Sequence, residues 1–216
     1  GKSLMNTGKA LLSPIVGLSK EVIRVGDDVD KARITFGALY KDATLGAEKF
    51  NEVIKYAAKT PFDVESLKSA ALQFKTLGVE LFGTESMVTD ATGQTKQLID
   101  IIGDAGAGLS GIARNGFKDV VYATREFITE GNKLSFLRRL GVDIDAVLAK
   151  GIKADNVMRE LSLSAGETVE ERKVAYANLI KALNMDGLMK KFEGTWSQVM
   201  SNMGDIWYLF MMKVGD

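Results

Sequence analysis

The chain contains neither cysteine nor histidine. Without cysteine there is no disulfide scaffold and no thiolate nucleophile. Without histidine there is no serine triad, no imidazole base and almost no route to a zinc site. Catalysis, if any, has to rest on carboxylates, lysine, tyrosine or hydroxyls. An excess of one charge is missing too, because 28 basic side chains balance 28 acidic ones. No overall field therefore gathers nucleic acid or an anionic membrane surface, and no specific nucleic-acid partner is expected. The longest uninterrupted apolar run, Ile206 to Met212, is far below the roughly 20 residues that span a bilayer. The N-terminus lacks the charged region, apolar stretch and small-residue cleavage site of a secretory signal. Only two prolines occur, Pro14 and Pro61.

What is present is a chain of 216 residues, enough for one domain or two small ones, which can bury roughly 70% of its unfolded surface. It opens at Gly1 rather than Met and stops at Asp216 just after its most hydrophobic run, which reads as an excised piece of a longer protein. Its 22 glycines fall mostly where one helical pattern ends and the next begins. Phe50, Val53, Ile54 and Ala57 follow the i, i+3, i+4, i+7 spacing of a helix face, and Pro61 stops the pattern. A second helix restarts at once. Asp63 is its expected N-cap, Val64, Leu67, Ala71 and Phe74 its stripe, and Gly78 its left-handed end.

The pattern continues through Leu109, Ile112, Phe117, Val120, Val121 and Phe127 as one long helix ended by Gly131, then through a brief helix Ser135 to Leu140 closed by Gly141. Tyr176, Leu179, Ile180 and Leu183 make another stripe. The strongest stripe lies last, where Trp196, Val199, Met200, Met203, Ile206, Trp207, Phe210, Met211 and Val214 share one broad helix side. Strand signals are weak: there is no sustained alternation and no Asn-Gly or Asp-Gly hairpin between β-branched runs. The expected fold is all-α, a compact bundle of short to medium helices in a single domain over 1–216. Residues 1–40 form an N-terminal helical segment broken near Pro14 and Gly26, and 195–216 form an apolar helix. No repeat of fixed period is visible.

Gly106-Ala-Gly108-Leu-Ser-Gly111 is a literal G-x-G-x-x-G after the apolar Leu98-Ile99-Asp100-Ile101-Ile102. A dinucleotide site needs a strand feeding that loop and an acid closing a second strand about 20 residues on. The second strand is absent, and Glu126 and Glu130 fall inside or just after a helix. A junction of small residues that lets two helices approach closely is the better reading. Gly1-Lys2-Ser3 resembles the end of a P-loop without its strand or first glycine, and reads as an expression remnant or chance. Asp27, Asp28 and Asp30, or Asp143 and Asp145, lack the calcium-loop pattern and read as caps and solvated charge. Lys133 with Arg138-Arg139 reads as a solvated helix face rather than a phosphate patch. No cofactor or metal is expected. Six of the nine methionines lie between Met185 and Met212, interleaved with Trp196, Trp207, Tyr208 and Phe210. They suit either a core or an adaptable protein-contact surface, whose candidate residues are Trp196, Met200, Met203, Trp207, Phe210 and Met211.

Thr60-Pro61-Phe62-Asp63, preceded by Ala57-Ala58-Lys59 and followed by Ser69-Ala70-Ala71-Leu72-Gln73-Phe74-Lys75-Thr76-Leu77-Gly78, resembles the N-terminal conserved region of bacteriophage tail tape measure proteins. Ile102-Gly103-Asp104-Ala105 resembles that family's "iGD" step. Gly131-Asn132-Lys133-Leu134-Ser135, Leu137-Arg138-Arg139-Leu140 and Gly141-Val142-Asp143-Ile144 resemble its "GkLs…LrqL…GvpI" passage, with Asp143 where proline is usual. Thr195-Trp196-Ser197 and Ser201-Asn202-Met203-Gly204-Asp205 resemble its "Tw.G.…sNl.D" ending, with Gln198 where glycine would follow. In order these cover about Lys31 to Trp207. Thr60, Pro61, Phe62, Gly78, Gly103, Asp104 and Gly141 are the motif residues that carry the resemblance.

The resemblance implies a phage or prophage virion protein, largely helical, that runs inside the tail tube, sets tail length during assembly and leaves during DNA ejection. It implies as partners the tail tube, tail assembly chaperones and the distal tail or baseplate hub, with a homo-oligomer around the tail axis. Its location would be the virion tail, and the host cytoplasm during assembly. Because glycines cut this segment into short helices with broad apolar faces, a folded or anchoring role is expected of it rather than that of extended ruler. The competing readings are a cell-wall-cleaving module, which needs two carboxylates across a cleft, and a membrane-interacting helix at Trp196 to Val214, which its length and neutral flanks support poorly.

Overall fold

A computed structural model describes residues 28–109, 116–141, 159, 161 and 163–191. The readings at Gly1 to Asp27, Gly111, Ile112, Asp143 and Asp145 lie outside the described residues, as do those at Trp196, Met200, Met203, Trp207, Phe210 and Met211. Residues 28–40 are helical (α1) and bury Val29, Ala32 and Phe36. Helix α2, Ala43–Ala57, starts at Asp42, whose Oδ1 accepts from the Leu45 N–H at 2.9 Å. It crosses α1 so closely that a Cβ on Gly46 would run into the backbone of Gly37. Its buried side is Phe50, Val53, Ile54 and Ala57, the stripe read from the spacing.

Pro61 separates α2 from α3, Val64–Lys75, whose Asp63 cap accepts from the Ser66 N–H at 2.8 Å. Val64, Leu67, Ala71 and Phe74 are buried, and Gly78 turns the chain with φ +73°. An irregular passage then buries Val79, Leu81 and Phe82 before a 3₁₀ turn, Thr84–Ser86. Lys75 and Tyr40 both bond to the buried carboxylate of Glu80, tying this passage to the ends of α3 and α1.

The chain next forms a two-stranded antiparallel ribbon, β1 (Met87–Thr89) with β2 (Thr95–Gln97), in register Met87↔Gln97, Val88↔Lys96, Thr89↔Thr95. Helical pattern alone did not anticipate this ribbon, because strands of three residues are too short to show an alternation. The fold nevertheless belongs to the all-α class: the described residues are mostly helical, and the ribbon is a small addition.

β2 runs directly into α4, Leu98–Leu109. Nine of its twelve residues are buried, so this is an interior helix, apolar nearly all round, and the Leu98 to Ile102 run is helical rather than a strand. The expected long helix is a second correction. The helix in this region starts at Phe117, after Gly116 at φ +58°, so α5 is Phe117–Glu130 and Leu109 belongs to α4. The apolar spacing happens to continue in phase from one helix to the next. Gly131 ends α5 in the left-handed conformation, and α6, Lys133–Arg139, follows from an Asn132 cap. Helix α7, Val169–Ala182, opens with a capping box between Thr168 and Glu171. A further helix α8, described over Leu188–Lys191, follows it.

α4 packs on α5, α7 and α8, while α5 also packs on α3, α6 and α7. Between α5, α6 and α7 the rings of Phe127, Phe136 and Tyr176 meet pairwise with centroids 5.5 to 5.9 Å apart. The fully buried Tyr176 hydroxyl is satisfied by the Thr124 hydroxyl, which donates to it at 2.8 Å. One buried apolar cluster reaches from Val29 to Met189.

The Gly46 crossing sets helix propensity against packing. Alanine should favour an isolated helix by about 1 kcal/mol, but here the methyl group meets backbone. Gly46→Ala should therefore lower stability, by about 1–3 kcal/mol, in a denaturant titration followed by circular dichroism. A stabilised variant would show that α1 and α2 are not so closely packed.

Candidate functional site

The most polar buried constellation is built on one face of α4, where Asp100, Gly103 and Asp104 follow each other at helical spacing. The end of α2 supplies Tyr56, Lys59 and Thr60, β2 supplies Lys96, and the turn into α8 supplies Asp186, Gly187, Met189 and Lys190. All of these but Gly103, which lies against Met189, line a cleft of about 600 Å³. The Asp104 side chain is 4% exposed. Its Oδ2 accepts from Lys96 Nζ at 3.0 Å and from the Gly187 N–H at 2.8 Å, and its Oδ1 accepts from the Met189 N–H at 2.9 Å. This carboxylate therefore caps α8 from another helix, with the N-terminal amides turned towards the negative charge.

Lys96 is shared, since its ammonium also donates to Asp186 Oδ1 at 2.5 Å. Partial burial acts to lower its pKa, but the bonds to Asp186 and Asp104 outweigh that and raise it. Near Asp104, the Tyr56 hydroxyl donates to Asp100 Oδ1 at 3.0 Å and lies 3.4 Å from Met189 Sδ. Burial, and then the neighbouring Asp100 charge, push the Tyr56 phenol well above its usual range. Burial also raises Asp100, against the Tyr56 bond that favours its charged form, and the nearby Asp104 charge adds to the rise. Chemically this is a clamp: a buried carboxylate, a shared ammonium and two backbone amides hold β2, α4 and α8 together.

Four of the seven motif residues are brought together here. Thr60 is buried and its hydroxyl donates to the Tyr56 carbonyl at 3.1 Å. After Pro61, Phe62 turns inward and stacks on Phe117 with centroids 4.0 Å apart. A Cβ at Gly103 would lie 2.7 Å from Met189 Sδ and 3.3 Å from Phe62, so a side chain there would push Met189 aside. Asp104 is the centre of the clamp. Gly78 and Gly141 do not line the cleft; each reverses the chain at a helix end, with φ of +73° and +72°.

The other sequence signals that fall on described residues lie as follows. Gly106 and Gly108 lie inside α4, not on a strand-to-helix turn, and accommodate Phe117 and Met185, respectively. That is the close approach expected of a small-residue junction. Asp28 and Asp30 are exposed on α1. The basic cluster is not a uniform solvated face: Lys133 is 5% exposed, and Arg139 pairs with Glu126 and lies over the Tyr122 ring. Among the described residues no group of acidic side chains could hold a metal ion, and no helix is long and apolar enough to cross a membrane.

A second polar centre was not anticipated. In the loop between β1 and β2, Asp90 Oδ1 accepts from the Thr92 N–H and hydroxyl and from the Gln94 N–H. From α7, Lys181 Nζ donates to Asp90 Oδ2 at 2.7 Å, Thr92 Oγ1 at 2.6 Å and Gln94 Oε1 at 3.3 Å, while Asn178 accepts from the Ala91 N–H. The local signal was legible as Asp-x-Thr-Gly, a turn sequence with glycine at positive φ. The Lys181 partner was not, since it comes from the far end of the chain. Lys96, Tyr56 and Asp186 escaped for the same reason. The chain matches no protein-family model, and no curated protein and no solved structure is significantly similar to it.

Two tests follow. Asp104→Ala removes one partner of a buried pair and the α8 cap together, so it should cost about 3–5 kcal/mol in a denaturant titration. A loss below 1 kcal/mol, the size of an exposed pair, would show that the clamp does not hold these segments together. The second concerns acid. Burial raises the Asp90 pKa, but the bonds from Lys181, Thr92 and Gln94 outweigh it and hold the carboxyl well below the usual range. A depressed carboxylate stabilises the fold above its unfolded pKa of about 3.9, and that contribution is lost as pH falls towards the folded value. Lys181→Met should thus be less stable at pH 6, by about 1 kcal/mol, and should lose less than the parent chain between pH 5 and pH 2. Parallel stability curves for the two proteins would show that Lys181 does not hold the Asp90 carboxylate charged.

Proposed function

We propose that this chain is a structural domain of a phage or prophage tail tape measure protein, acting in tail assembly and tail length determination and later in DNA ejection. The observation that carries the reading is the ordered set of motif passages between Lys31 and Trp207. It is supported by the meeting of two separate passages, Thr60-Pro61-Phe62 and Gly103-Asp104, around one clamp. Motif residues that pack on each other serve architecture: the glycine makes room, the aromatic fills, and the carboxylate caps. The segment is a folded anchor, while length is set by extended helical chain elsewhere in the polypeptide. Its partners are tail proteins, namely the tube, the assembly chaperones and the distal tail or baseplate hub.

Electron microscopy of particles from the producing host separates anchor from ruler. An in-frame helical insertion outside this segment should lengthen tails by about 1.5 Å per added residue, whereas deleting residues 28–191 should abolish tails rather than shorten them. Tails indifferent to both changes, or particles that lack the polypeptide, would overturn the proposal. Clearing of a peptidoglycan suspension by the purified chain would favour the cell-wall-active alternative instead.

A further inference from the structure

The loop that joins β1 to β2 has a set of bonds entirely its own. The Asp90 carboxylate divides between two tasks. Its Oδ1 turns into the loop, where it accepts from the Thr92 N–H and hydroxyl and from the Gln94 N–H at 2.8, 2.7 and 3.1 Å. The Asp90 N–H donates to the Gln94 carbonyl and the Gly93 N–H to the Asp90 carbonyl, at 2.9 and 3.0 Å. Gly93 supplies the φ of +82° that closes the turn. All of these bonds lie between Asp90 and Gln94, and none involves α7. The Asp90 Oδ2 turns outward instead. With Thr92 Oγ1 and Gln94 Oε1 it converges on one nitrogen, Lys181 Nζ, at 2.7, 2.6 and 3.3 Å. Since the Thr92 hydroxyl gives its own proton to Asp90, it can only accept from Lys181. Three acceptors, one of them charged, therefore face the three N–H bonds of an ammonium group. The carboxylate is sunk in the loop at 8% exposure, while the lysine that reaches it is 33% exposed. Asn178, one turn before Lys181 on α7, accepts from the Ala91 N–H at 2.9 Å and leaves those three acceptors untouched.

From this division of bonds we infer that the ribbon loop is a preformed binding site for a primary ammonium group, and that Lys181 is its ligand rather than the element that shapes it. The loop keeps its conformation when that ammonium is taken away, and the emptied cradle accepts a small alkylammonium ion from solution. The chemistry of the acceptors sets the selectivity: a cation without N–H donors has the charge but not the bonds. The site rests on the loop's own geometry and does not depend on the tail reading.

Lys181→Ala in the full chain removes the tethered ammonium together with its stem, and NMR of the loop amides tests the vacancy. The probe is methylammonium chloride raised to about 1 M, because a free ion lacks the effective concentration that a tether provides. Tetramethylammonium chloride at the same concentration carries the same charge without an N–H donor. Methylammonium should shift the Thr92, Gly93 and Gln94 amides of the variant saturably. It should leave them unmoved in the parent chain, whose cradle is filled, and tetramethylammonium should move them in neither protein. No saturable shift in the variant, or an equal shift with tetramethylammonium or in the parent chain, would overturn the inference. Lys181→Met, which keeps the stem against the bundle, tests preformation by itself. Its Thr92 and Gln94 amides should exchange with solvent within a few-fold of their parent rates. Acceleration by about tenfold or more, the loss of bonds to a charged acceptor, would show that Lys181 shapes the loop, and the inference fails even if Lys181→Ala does not fold.

Discussion

A carboxylate withdrawn from water must recover in bonds what it loses in hydration, a cost of several kcal/mol per ion. Asp104 meets that demand with one ammonium and two amides, and each donor comes from a different stretch of chain than its own helix. The demand is therefore an instruction about tertiary structure. β2 must lie where Lys96 reaches the carboxylate, and the turn after α7 must present its amides to the same atoms. Gly103, one residue earlier, removes the side chain that would keep Met189 away. Charge and missing volume both act at the seat of α8.

The same division of labour recurs at the edges of the bundle. The middle is apolar, with α4 buried nearly all round and α5 packed on both sides of the chain's midpoint. At the periphery, lysines reach from one element to carboxylates on another. Lys75 holds Glu80 beside Tyr40, Lys96 holds Asp104 and Asp186, and Lys181 holds Asp90 in the ribbon loop. Apolar burial supplies most of the driving force but is not directional, whereas these bonds decide which loop lies where. A ribbon of three-residue strands is marginal by itself; here one strand is held to α4 and α8 and its loop to α7.

Legibility in the sequence followed the range of the interaction. The stripe Phe50, Val53, Ile54, Ala57, the Asp63 cap and the turns at Gly78 and Gly131 depend on neighbours within a few residues, and each lies where the spacing placed it. The stripe from Leu109 to Phe127 misled because two helices happen to share a phase, and periodicity cannot see a break that preserves it. The ribbon was missed because three residues carry no pattern. Around the clamp, Thr60, Phe62, Gly103 and Asp104 were singled out by resemblance, but nothing local says that Asp104 meets Lys96 or that Gly103 meets Met189. The reading of Lys133 as solvated failed for a related reason: the face on which a short helix packs is chosen by its partners.

Composition and local pattern by themselves settled that this is a helical chain, where most of its turns come, and that thiol and imidazole chemistry play no part in it. These follow from side-chain type and from sterics within one or two helical turns. The tertiary structure alone decided that α4 is the interior helix, that its glycines are seats for methionine and phenylalanine, and that a single buried carboxylate gathers three segments. Contacts between residues more than eighty positions apart, as between Asp104 and Met189, leave no trace in the spacing of either partner, because the geometry that joins them exists only once the helices between them have packed.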